Sequence, residues 1–175
     1  MSALTAVEIR GLLELLNSEL AKTETLGELY LVGGAVMCLA LSARPSTQDI
    51  DAVFRPATKI RAAAKRVAAA AGVDPYWLND GVKGYLSAQG DFAPFLDLSH
   101  LRIMVAEPPY LFAMKCLAMR LGAEFHDEED VRFLLRLLDL RSYDQALEIV
   151  TRYYPLERIP QKTLYALEEL LPKAT

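Results

Sequence analysis

Residues 28–54 constrain this chain more than any other stretch. They run ELYLV, then Gly33-Gly34, then the apolar run AVMCLALSA, a loop at Arg44-Pro45-Ser46, and finally QDIDAVF. ELYLV reads as a short buried strand, and AVMCLALSA predicts an apolar helix to about residue 43. Proline and the residue before it resist helix, so a loop follows. QDIDAVF alternates polar and apolar residues, as a half-buried strand does.

That order has chemical consequences. Strand side chains alternate faces, so Asp49 and Asp51 are expected on one face, with Ile50 turned into the core. Two adjacent carboxylates repel unless a cation neutralises them. Mg²⁺ suits the pair, because it takes a few carboxylate oxygens and completes its shell with water and phosphate. Gly33 and Gly34 lack Cβ atoms and let backbone approach a ligand closely. The following helix would turn unpaired N–H groups toward that turn. A triphosphate lying there, its metal held by Asp49 and Asp51, would need mainly positioning and charge neutralisation for phosphoryl or nucleotidyl transfer. Ser46 and Thr47 would either hydrogen-bond a phosphate or shape the loop, the loop role being the simpler.

The rest of the chain supplies the frame. A helix is expected over 5–21, with Val7, Leu12, Leu13, Leu16 and Leu20 on its apolar side. Residues 57–71 are alanine-rich, a strong helix by propensity. Residues 72–90 read as loop with one short strand, where Tyr76 and Trp77 either stack on a base or, more simply, anchor the loop. FAPFLDL and LRIMV within 91–106 are expected to pair as strands. Pro108-Pro109 starts a helix to about Leu121. Further helices are expected over 127–139, over 143–153 with Ser142 as cap, and over 161–171. The fold class is therefore α/β (α+β), a mixed β-sheet flanked by helices with a helical C-terminal part. The expected division is 1–106 and 107–175, or one single domain.

Charge is informative locally rather than globally. The formal net charge is -4, which by itself points to no nucleic acid. Yet Arg55, Lys59, Arg61, Lys65 and Arg66 fall between Asp51 and Asp74 with no acid among them. Such a run is either a solvated helix face or a patch for phosphates or an RNA backbone. Glu124 and Asp127–Asp130 form an acidic cluster further on. Cys38 and Cys116 lie in apolar segments without metal-ligand spacing and are expected as buried thiols. With no signal-peptide pattern and no apolar run of about 20 residues, a cytoplasmic protein without a membrane partner is expected.

LVGGAVMCLAL followed by STQDIDAVF resembles the signature of the nucleotidyltransferase superfamily, a Gly-Gly or Gly-Ser turn and then Asp-x-Asp. VAEPPYLFAMKCLAMRLGAEFHDEEDVRFLL, over about residues 105–138, is similar to the strand, Lys-bearing helix and Asp-bearing helix of minimal, stand-alone nucleotidyltransferases. These include toxin-like proteins of abortive-infection toxin–antitoxin systems. The resemblance implies that Lys115 and Arg120 bind nucleotide phosphates and that Asp127 and Asp130 match the family's paired aspartates. It implies a third metal carboxylate on a later strand, for which Asp97 is the candidate. Where the pattern places a basic residue before the first paired aspartate, this chain has His126.

The expected function is Mg²⁺-dependent transfer of a nucleotidyl group from a nucleoside triphosphate to RNA such as tRNA, or to protein. Asp49, Asp51, Lys115 and Asp130 would be the catalytic set, with Asp130 orienting Lys115 or assisting the acceptor. An antitoxin-like partner protein is implied by the same resemblance. The alternative is an inactive module of this fold that senses a nucleotide or pairs with a partner.

Overall fold

The computed structural model describes residues 2–172. Its contacts separate two units, one reaching to Gly84 and including Phe92–Ala106, the other formed by Tyr85–Asp91 and the chain from Glu107 onward.

The first unit opens with a two-residue strand, β1 (Leu4–Thr5), and a helix, α1 (Ala6–Lys22). Thr5 caps α1 in a reciprocal arrangement: its hydroxyl accepts from Glu8 N, while its own N–H donates to Glu8 Oε2 at 2.8 Å. Ile9, Leu12, Leu13, Leu16 and Leu20 form the buried stripe. Val7 does not join it; it is 80% exposed, because the helical repeat puts it opposite Ile9. Next come β2 (Gly27–Leu31), α2 (Gly33–Leu39), β3 (Ser46–Thr47), β4 (Ile50–Arg55), α3 (Ala57–Ala71), β5 (Leu78–Asn79), β6 (Phe92–Asp97) and β7 (Leu101–Ala106). α2 is shorter than its apolar run predicts. Ser42 adopts a left-handed φ of 51° and Ala43 N bonds back to Met37 O, turning the chain early.

The order β5-β4-β2-β7-β6 makes a mixed five-stranded sheet, and β1 pairs with β3 in a separate ribbon. β2 runs parallel to β7 and antiparallel to β4, and β4 runs parallel to β5. Strand alternation gives this sheet two unlike faces. Leu29, Leu31, Ile50, Ala52, Phe54, Leu101 and Ile103 are buried on one. α1 and α3 cover that face; a Cβ on Gly27 would meet Leu20, Ile60 and Leu101 at 2.9–3.4 Å, so only glycine fits where both helices meet the sheet. Glu28, Tyr30, Asp51, Val53 and Met104 lie on the other face and are half-buried. Trp77 is 1% exposed and its indole N–H donates to Ala64 O at 2.9 Å, anchoring the loop before β5 to α3. Tyr76 beside it is 72% exposed.

The second unit is helical: α4 (Pro108–Ala118), α5 (Asp127–Leu137), α6 (Tyr143–Tyr153) and α7 (Gln161–Leu170). Pro108 starts α4, and the Ser142 hydroxyl caps α6 by accepting from Gln145 N. Residues 85–91 belong to this unit because tyrosines hold them. Ser87 N–H donates to Tyr110 Oη at 2.9 Å, Tyr154 Oη–H donates to Tyr85 O, and Tyr153 Oη–H donates to Asp91 Oδ2 at 2.6 Å. Burial pushes both the Tyr153 and Tyr154 hydroxyls well above the ordinary phenol range. Both cysteines are buried free thiols, and no described helix is long and apolar enough to cross a membrane.

Candidate functional site

The glycine turn and the Asp-x-Asp strand meet in the first unit. Val32 is extended, and its N–H donates to Asp51 O at 3.0 Å, which ties the end of β2 to the start of β4. Gly33 then takes φ +63°, the left-handed region that side chains disfavour. A Cβ built on Gly33 would stand 3.2 Å from Asp51 Oδ2, so the Asp51 carboxylate lies directly beside the turn.

Asp49 sits one residue before β4 rather than inside it. Its face is nevertheless defined. Asn79 is the register partner of Asp51 on the parallel neighbour β5, and register partners share a face. From there Asn79 Nδ2 donates to Asp49 Oδ2 at 3.1 Å. Both carboxylates therefore stand on the same side of the sheet, while Ile50 between them is 0% exposed.

Two residues at this site carry no motif in the sequence. One is Asn79, whose role depends on a strand pairing with Asp51, 28 positions earlier in the chain. The other is Arg44. A Cβ on Gly34 would fall 1.8 Å from Arg44 Nη2, so the guanidinium occupies the space a side chain there would need. Arg44 Nη2 also donates to Thr47 Oγ1 at 3.3 Å, and Thr47 donates onward to Asp49 O at 3.3 Å. Thr47 is 6% exposed, and these bonds give it the loop-shaping role. Ser46 lies in β3, in register with Thr5. The only signal for Arg44 in the sequence was a cation in a loop leading directly into the acidic pair.

Two carboxylates on one face beside Gly33 are a donor set of the kind a hard divalent ion such as Mg²⁺ takes, whereas the Gly34 side of the turn is covered by Arg44 and Thr47. Asp97 does not belong to the set, contrary to the sequence expectation. It registers with Arg102, which registers with Glu28, which registers with Arg55. That row is four residues along β4 from Asp51 and three strands over. Strand spacings put it roughly 13 Å along and 14 Å across the sheet. Asp97 is exposed there and pairs with Arg102 at 3.6 Å. The pattern of FLDLSHL held no information about strand order, which decides this. Among the described residues no group of three or more His, Cys, Asp or Glu side chains is placed to hold a metal ion.

Lys115, Arg120, Asp127 and Asp130 come together in the helical unit. Lys115 Nζ lies 2.6 Å from Asp130 Oδ2 and 3.4 Å from Asp127 Oδ1. Arg120 Nε donates to Asp127 Oδ2 at 2.8 Å and its backbone N–H to the same oxygen at 3.0 Å. Burial alone would raise the Asp127 carboxyl. The bond from the Arg120 side chain, the Lys115 charge and the Arg120 N–H outweigh it and hold the carboxyl below its ordinary range. The Lys115–Asp130 contact brings together the two residues expected to act as a pair. Both belong to the helical unit, where they join α4 to α5. His126 is exposed and stands 3.3 Å from Glu129.

Compared with known proteins, the chain matches no family model, no curated protein and no solved structure.

Replacing Gly33 with alanine tests the turn. A residue with a Cβ at this φ costs about 1–2 kcal/mol, and the new methyl crowds the Asp51 carboxylate. A thermal melt is expected to fall by a few degrees, at about 2–4 °C per kcal/mol for a chain of this size. Unchanged stability would show that the turn relaxes freely.

Proposed function

We propose that this chain binds a nucleoside triphosphate with Mg²⁺ at the Gly33–Gly34 turn and transfers its nucleotidyl group to an acceptor, with RNA such as tRNA the first acceptor class to test. The observation that carries this is the shared face of Asp49 and Asp51 beside a left-handed glycine, with Asn79 fixing the outer carboxylate. Asp49 and Asp51 would hold the ion and Gly33 would admit phosphate oxygens close to the backbone. Bound there, the ion would neutralise phosphate charge as the leaving group departs. Only residues of the first unit are needed for this. Lys115 and Asp130 are committed to each other at 2.6 Å, which supports a structural role for them.

The protein is incubated with labelled ribonucleoside triphosphates, Mg²⁺ and total tRNA or lysate. Label is expected to transfer, and Asp49→Asn with Asp51→Asn to reduce transfer about a hundredfold or more, as loss of preorganised charge does elsewhere. Labelling that survives the double substitution removes these residues from the metal role.

A second reading has its own support. Arg44 rests on Gly34, and the acidic set has two carboxylates rather than three. An arginine in that position suits a module that binds a nucleotide without turning it over. Calorimetry distinguishes the two: Mg²⁺-dependent nucleotide binding without transfer favours the module, and no such binding counts against both.

A further inference from the structure

The acid-free basic run lands on α3, and its geometry is more specific than its composition. The helix buries Ile60, Ala63, Ala64, Val67 and Ala68 against the sheet. Its outward face carries a lane of small residues, Thr58, Ala62 and Ala69, all exposed. By helical spacing, Lys59 and Arg66 border one side of that lane and Arg61 and Lys65 the other. Among the described residues no carboxylate pairs with Lys59 or Lys65.

The two arginines do meet acids, yet each acid is shared. Asp80 takes Arg61 at 2.8 Å and also Lys83, and Glu19 takes Arg66 at 2.8 Å and also Lys22. Each acid that meets an α3 arginine is therefore divided with a lysine, while Lys59 and Lys65 keep undivided positive charge, on a chain whose formal net charge is -4. Self-repulsion of this kind is retained at some cost unless a polyanion relieves it. Between the basic borders the lane carries only the small side chains of Thr58, Ala62 and Ala69. Lys59 and Lys65 lie about 9 Å apart along the axis, so both can reach one run of phosphates.

We propose that the outer face of α3 docks the phosphate backbone of RNA, with Lys59 and Lys65 as principal contacts. This takes RNA as the acceptor class from the proposed function, but it requires neither nucleotide nor metal.

Fluorescent total tRNA is titrated against the full chain at several salt concentrations, without nucleotide or Mg²⁺. Affinity is expected to fall as salt rises. Lys59→Glu with Lys65→Glu is expected to weaken binding about tenfold or more and to flatten the log–log salt slope by about 1–2. Both positions are exposed, and circular dichroism confirms the helix content of the variant. A control removing the same charge elsewhere, Arg136→Glu with Lys162→Glu, is expected to bind nearly as wild type. The inference is overturned if the wild type binds no tRNA at low salt, if the α3 variant binds as wild type, or if the control loses as much affinity. Capture by anionic vesicles without tRNA binding overturns it too. If tRNA binding maps to α3 while Mg²⁺-dependent nucleotide binding is absent, this inference stands and the nucleotidyl-transfer proposal fails.

Discussion

Lys115→Met is expected to lower the melting temperature by roughly 6–20 °C, the result of removing one partner from a buried ion pair at about 3–5 kcal/mol with about 2–4 °C per kcal/mol. Methionine keeps most of the stem's packing, so the change isolates the ammonium. What remains is Asp130 with a side chain 4% exposed, 2.6 Å from where the charge had been, and Asp127 at 8%. Arg120 still holds Asp127. Lys115→Met with Asp130→Leu is expected to recover much of the loss, because an apolar pair of similar volume replaces a buried ion pair at little cost. A double variant no more stable than the single one would show that the lysine stem, not its charge, matters.

The same network gives a pH signature. The folded carboxyl of Asp127 is held below its ordinary value. Its contribution is therefore complete above the unfolded value of about 3.9, and it is lost as pH falls through the lower folded value. Lys115 is one of the charges responsible. The stability gap between wild type and Lys115→Met is thus expected to narrow below about pH 4. Denaturant melts across that range check it, and a constant gap would remove Asp127 from the account.

Trp77→Ala is expected to cost about 3–5 kcal/mol and to damage the candidate site as well. The indole is 1% exposed and its N–H bonds Ala64 O. The adjoining backbone matters equally: Ile50 N–H donates to Trp77 O at 2.7 Å, which sets the β4–β5 register. That register brings Asn79 to Asp49. Trp77→Phe, which keeps most of the ring and loses one donor, is expected to cost far less than the alanine change. Under the proposed function, Mg²⁺-dependent nucleotide binding by Trp77→Ala is expected to weaken at temperatures where the chain is still folded. Normal binding by a destabilised variant would separate the anchor from the site.

Much of the secondary structure was legible because local patterns carry it. The α3 helix was expected over 57–71 and is Ala57–Ala71, because alanine propensity and the closing Gly72 at φ +69° act within one segment. The Ser142 cap and the proline start of α4 were legible for the same reason. The β6–β7 hairpin followed from two adjacent apolar runs. The β1–β3 ribbon was not legible: two residues on each side have no periodicity, and their pairing joins Leu4 to Thr47. Val7 was placed on the wrong side because a valine near a leucine stripe was counted without its helical angle.

The amino-acid order alone determined that a glycine turn precedes an Asp-Ile-Asp segment and that α4 and α5 each carry their charged partners, since these depend on neighbours along the chain. Tertiary structure alone decided that Asn79 and Arg44 join the aspartates, that Asp97 lies on a distant row, and that Lys115 pairs within the helical unit. Strand order and register make that difference. They are set by which apolar faces bury together over long sequence separations, and a local pattern fits several such arrangements equally well.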